Sequence, residues 1–104
     1  MIAVTTDTIA GKDILHSLGL VRGSTVRAKH IGSDIVASLR NLVGGEVREY
    51  AQLLAGAREQ AFDRMMEQAR ALDADAVVGL RFETSQIAQN ASEVLAYGTA
   101  VRLG

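Results

Sequence analysis

The chain contains no cysteine. That absence removes disulfides, thiolate metal sites, iron–sulfur clusters and cysteine nucleophiles together. Aromatic residues make up only 4% of the sequence, so any core must be built from aliphatic and small side chains, among them ten glycines. There is no excess of basic charge: eleven Lys and Arg stand against twelve Asp and Glu, interspersed along the chain, for a net charge of −1. A protein that lives on nucleic-acid phosphates carries a basic patch, so DNA and RNA are not expected partners. Long apolar runs are missing too. The strongest, Ala76-Val77-Val78-Gly79-Leu80, is far too short to span a bilayer. The start of the chain has neither a basic n-region nor an apolar h-region, and a soluble, cytoplasmic protein is the expectation.

What is present reads as one globular domain over residues 1–104. Apolar residues amount to 48% of 104, enough for a core without covalent staples. Residues 2–5 read as a short strand. From Lys12 to Lys29 the pattern is β-like, with Ile14, Leu18 and Leu20 two or four apart, and Arg22-Gly23 reads as the break of a hairpin. Gly19 and Gly23 are alternatively bulge positions. Ser33 caps a short predicted helix from Asp34 to Val43, with Ile35, Val36, Leu39, Leu42 and Val43 at helical spacing. Asp34, Ser38 and Asn41 form its opposite, polar face, which reads as solvated.

A longer helix is predicted from about Glu46 to Leu72. Val47, Tyr50, Leu54, Ala57, Ala61, Met65, Ala69 and Leu72 form an unbroken apolar stripe, widened by Leu53, Phe62 and Met66. Methionines on such a stripe are core filler. Gly56 weakens the helix by roughly 1 kcal/mol relative to Ala unless another backbone approaches it closely. About 26 residues span roughly 39 Å, while a compact globule of this length is about 33 Å across. That mismatch suggests that part of the helix packs on a neighbouring subunit. The remaining third alternates as two antiparallel strands, Ala76–Thr84 and Glu93–Leu103, joined through Gln89-Asn90-Ala91-Ser92. The predicted class is α+β in two layers, an antiparallel sheet against one long helix preceded by a short one.

The stretch "SLRNLVGGEVREY" is the main candidate for chemistry. Gly44-Gly45 stands just before a helix N-terminus, where amides and the macrodipole favour anions. The spacing matches neither GxxxxGK[ST] nor GxGxxG, and Glu46 and Glu49 already occupy the first turn, offset only by Arg48. A hard cation could draw on Asp34, Glu46 and Glu49, against the unfavourable sign of the dipole. His16 and His30 are the remaining metal-ligand candidates, fourteen apart and unclustered, although copies in an oligomer could converge on an axis. Asp34, Arg40, Glu46 and Tyr50 could supply acid–base groups at the elbow. Equally, Arg40 and Tyr50 could simply tie the elbow down, Tyr50 buried with its hydroxyl bonded.

The segments "VTTDTIAGK", "LGLVRGSTVRAKHIGSDIVASLRNLVGG", "YAQLLAGAREQAFDRMMEQARALDADAVVGLRFE" and "GTAV" together resemble the YbjQ-like family across nearly the whole chain. The family carries a heavy-metal-binding label. The resemblance implies a dodecin-subunit-like α+β fold assembled as a homopentamer. The chain departs from the family pattern at three places: Glu46 stands where Arg is common, His30 where Asn is usual, and Asp73 where a Gly ends the helix. Asp tolerates the left-handed conformation, so the last change is compatible with the fold. The first reverses the charge beside Gly44 and Gly45. The resulting expectation is a ring-forming protein, more binding protein than enzyme, that takes a small ligand or a metal ion at subunit interfaces. An enzyme with its acid–base groups at the elbow and a purely structural interaction module are the alternatives.

Overall fold

A computed structural model describes residues 1–28, 45–89 and 91–104, with the backbone alone for residues 28 and 45–51. The elements are β1 (Ile2–Ala3), β2 (Ile14–Ala28), α1 (Gly45–Ala71), β3 (Ala76–Ala88) and β4 (Ala91–Leu103). The expected short helix, 34–43, and the loop candidate Asn90 lie outside the described residues. One sheet runs in the order β1-β3-β4-β2. The three long strands are antiparallel, as the alternation predicted, while β1 pairs in parallel with Ala76 and Val77 and makes the sheet mixed.

The predicted hairpin at Arg22-Gly23 does not form: β2 is one strand of 15 residues. The glycine there has a different cause. A Cβ on Gly23 would overlap the carbonyl oxygen of Ala61 and the amide of Met65, and would stand 2.7 Å from the Cβ of Arg64. Gly23 is where the helix backbone lies directly on the sheet. Around that contact Val21, Ala57, Ala61, Met65, Ala69, Val77, Val94, Ala96 and Ala100 are almost fully buried. The small residues of α1 and β4 meet face to face, so helix and sheet pack closely with hardly any aromatic bulk. The methionines Met65 and Met66 fill this core, as their place on the stripe predicted. Gly56 meets nothing within 4 Å of its Cβ position among the described residues, so none of them requires a glycine there.

The helix ends where its hydrogen bonding says it must. The N–H of Ala74 donates to Ala69 O at 3.1 Å and that of Asp73 to Arg70 O at 3.0 Å. Asp73 itself is left-handed, φ 57°. This is the Schellman arrangement with Asp in the position glycine usually takes. A second glycine constraint sits in β3. Gly79 has φ 64°, and the register with β4 shifts between Val78 and Arg81. The bulge turns the Gly79 and Leu80 N–H groups outward to Thr6 O and Val4 O, at 2.8 and 3.0 Å. These bonds hold the N-terminal segment on the sheet. There Val4, Ile9, Ile14 and Leu103 cover Ala76, Val78 and Val101 in a smaller core on the face opposite α1.

The shape changes one premise of the helix-length argument, since the molecule is elongated rather than a compact globule. A strand of 15 residues is about 50 Å long, and the chain measures 54 × 22 × 15 Å, with a radius of gyration of 17.2 Å rather than the roughly 13 Å of a compact globule. By the register set at Arg22 and Ser24, the turns of α1 before about Gly56 run past Ala28, the last residue of β2. Part of the sheet stays bare: α1 lies over β2 and β4, and Leu20, Val26, Phe82 and Ile87 are 43–64% exposed.

Candidate functional site

The sequence-nominated residues fall into three groups. Asp34, Arg40, Gly44 and His30 lie outside the described residues. Gly45, Glu46 and Tyr50 belong to the first turns of α1, described by backbone only, and Gly45 opens the helix rather than a loop. His16 is exposed on β2, where its partner in register on β4 is Arg102. Among the described residues, no group of three or more His, Asp or Glu side chains is placed to hold a metal ion. His16 therefore has no ligand set among the described residues.

The polar side chains that the fold does bring together lie on the sheet face away from α1. Tyr97, central on β4, stands in register with Arg22 of β2 on one side and Arg81 of β3 on the other. In the next row Leu95 lies between Ser24 and Glu83. The Tyr97 hydroxyl donates to Glu83 Oε1 at 3.2 Å. That bond pushes the phenol pKa above its ordinary value, helped by desolvation and the negative charge of Glu83 and opposed by Arg81. Arg81 Nη1 donates to Thr5 O at 2.7 Å and to Leu80 O at 2.8 Å, tying the N-terminal segment to β3. Two guanidiniums flanking a phenol are chemistry for holding an anionic or planar group. Sequence reasoning registered Arg81 and Glu83 only as the solvent side of a strand. Their meeting with Tyr97 and Arg22 depends on the register of three strands, which no local pattern reports.

A second polar assembly runs along the outer edge of β2. Gln60, Arg64 and Gln68 are four apart and so share one face of α1. Gln68 Oε1 accepts the Arg22 N–H at 2.9 Å, Arg64 Nη1 donates to Ser24 O at 2.6 Å, and Arg27 Nη2 donates to Gln60 Oε1 at 2.8 Å. Four helical residues rise about 6 Å and two strand residues about 6.6 Å, so the two ladders stay in step. The result is an edge strand whose Arg22 N–H and Ser24 carbonyl are satisfied by its own helix.

Comparison with known proteins agrees with this architecture. A family model described as "Putative heavy-metal-binding" matches residues 1–104. A UPF0145 protein of Methanosarcina acetivorans is 56% identical over 103 residues, 99% of this chain and 97% of that protein. Another, of Halorubrum lacusprofundi, is 58% identical over 98 residues, 94% of each chain. A crystal structure of a DUF74-family protein from Pediococcus pentosaceus superposes with a TM-score of 0.67 over 100% of this chain and 98% of that one; at 18% identity it supports the fold alone.

Proposed function

For this chain, which belongs to the YbjQ-like family of UPF0145 proteins, we propose a homo-oligomeric binding protein that closes into a ring, five-membered as the family resemblance implies. It takes a small ligand or a metal ion where subunits meet, and it works by sequestration rather than turnover. The observation that carries this reading is the bare sheet. Leu15, Leu20, Val26, Phe82 and Ile87 all lie on strands and are all about half exposed or more. A chain with this little aromatic bulk does not leave five large apolar side chains in water along one sheet without a surface to meet them.

The place of the ligand follows from what the described residues lack. His16 is a single exposed imidazole, and among the described residues no acidic or imidazole cluster completes a metal site around it. Symmetry supplies the missing ligands: five copies of one residue around an axis form a ligand set that no single copy holds. The family model's metal description supports the same reading. The row Arg22–Tyr97–Arg81 offers a second place, suited to an anion, on the sheet face away from α1. Nothing in the described residues favours an acid–base centre. Native mass spectrometry of freshly purified protein tests the proposal. A five-chain mass carrying an additional bound metal or small molecule is the expected result. A clean single-chain mass contradicts it.

A further inference from the structure

The sheet has two outer edges, and each is closed over part of its length. On one side β1 covers Ala76 and Val77, and the N-terminal segment takes the N–H groups of Gly79 and Leu80. Beyond them, from Arg81 to Ala88, the edge of β3 has no backbone partner among the described residues. Every side chain in that stretch is exposed, Phe82 at 43% and Ile87 at 54%. On the other side, Gln68 and Arg64 close the edge of β2 at Arg22 and Ser24. The helix stops at Ala71. At two strand residues per four helical residues it runs out near Leu20, and from Ile14 to Leu20 the edge of β2 has no partner among the described residues. This half also carries two exposed apolar side chains, Leu15 at 59% and Leu20 at 64%.

The two open halves lie at opposite ends of the sheet. The start of β2 is in register with Leu103, and its end with Ala91; β3 runs from Val101 to Ala91. Open β2 therefore sits at the Leu103 end and open β3 at the Ala91 end. Both strands are antiparallel to β4, so they are parallel to each other. A second copy displaced along the strands by about six residues, roughly 20 Å, brings its open half of β2 beside the open half of β3 in the first. The closed halves then pass one another without contact. An unpaired edge is a standing template for a further strand, and a protein that seals half of each edge with dedicated groups leaves the other halves open for a partner.

We propose that these half-edges are the two sides of one head-to-tail contact between copies of this chain: residues 81–88 of β3 join residues 14–20 of the next copy's β2 as a staggered parallel pair. This rests on the ring reading and specifies its surface. Such a contact is heterologous: each copy offers one donor half and one acceptor half, so the contact repeats until the rotation closes. The stagger is of the kind that lets strands tilt around a closed sheet. Pairing two β3 edges about a two-fold axis would satisfy only one of the open halves. It would leave Leu15 and Leu20 bare and would stop at two copies.

The absence of native cysteine makes the test clean. Ser17 and Ser85 are exposed, one in each open half, and both point to the face away from α1. Within one chain they lie two strands and about eight residues apart, roughly 26 Å along the strands, beyond a bis-maleimide of about 10 Å reach. The double variant S17C/S85C, cross-linked in its native state and run on a denaturing gel, should give a ladder of covalent multimers ending at the ring size. Each single variant should stay monomeric. Dimers from S85C alone would overturn the proposal in favour of two-fold pairing. A double variant that stays monomeric on the gel, while native mass shows the full oligomer, would overturn it in favour of another surface. A monomeric native mass would instead remove the ring reading itself.

Discussion

Replacing Gly23 by Ala tests how the two layers meet. The added methyl group would overlap the backbone of Ala61 and Met65 and stand 2.7 Å from the Arg64 Cβ. Ordinary carbon contacts begin near 3.5 Å, so α1 must lift by about 1 Å. It cannot swing away locally, because Gln68 and Arg64 hold Arg22 N and Ser24 O on either side of Gly23. Lifting the helix loosens Ala57, Ala61, Met65 and Ala69 together, all fully buried. Overpacking generally costs about 1–3 kcal/mol, and a backbone neighbour places this case at about 3 kcal/mol. For a domain of this size that lowers Tm by about 12–20 °C at fixed protein concentration. Denaturant titration followed by circular dichroism should show a lower midpoint with an unchanged slope. Gly56→Ala is the internal control, with open space around it, and should stabilise by about 1 kcal/mol. A Gly23→Ala change within about 0.5 kcal/mol of wild type would refute the close approach of helix to strand.

Three further outcomes follow from single residues. The Thr25 hydroxyl is buried with no partner among the described residues, so Thr25→Val should leave stability unchanged or raise it by about 1–2 kcal/mol in the same titration; a loss of that size would mean the hydroxyl is bonded. Asp73 holds a left-handed conformation at the helix end, and Asp73→Gly should stabilise by about 1 kcal/mol; destabilisation would show that the carboxylate contributes there. Tyr97 should ionise above the ordinary phenol value of about 10. Its folded pKa is raised, so the Tyr97–Glu83 contribution to stability is present below pH 10 and is lost as pH rises through the raised value. Phenolate absorbance in a Tyr50→Phe background isolates this residue, and Glu83→Gln should bring the midpoint back toward 10. A Tyr97 midpoint at or below 10 with Glu83 intact would contradict the hydrogen bond.

How much of this was legible in the sequence depends on whether the cause was local. The stripe through Ala57, Ala61, Met65 and Ala69 named the buried face of α1, and its ends fell within a residue of the observed ones. Leu72 belonged to the same periodicity but is 45% exposed, because the left-handed Asp73 ends the helix before that position can face the sheet. Alternation located β3 and β4 but underestimated β3, which continues through Ser85-Gln86-Ile87 as an open edge with no burial pattern to mark it. From sequence Gly23 looks like a chain break, because the helix that demands a glycine there is forty residues away. The candidate site divides in the same way. The elbow was recognisable as a motif, yet Asp34, Arg40 and Gly44 lie outside the described residues. The Tyr97 row and the Gln60–Arg64–Gln68 seal arise from register between distant elements, which composition and spacing do not encode.

The central claim is that the bare sheet is covered by copies of the same chain. Sedimentation equilibrium at several protein concentrations tests it most directly. The account predicts a single, concentration-independent species of five times the 11.1 kDa chain mass. A species of one chain mass at every concentration, with the fold intact by circular dichroism, would contradict it.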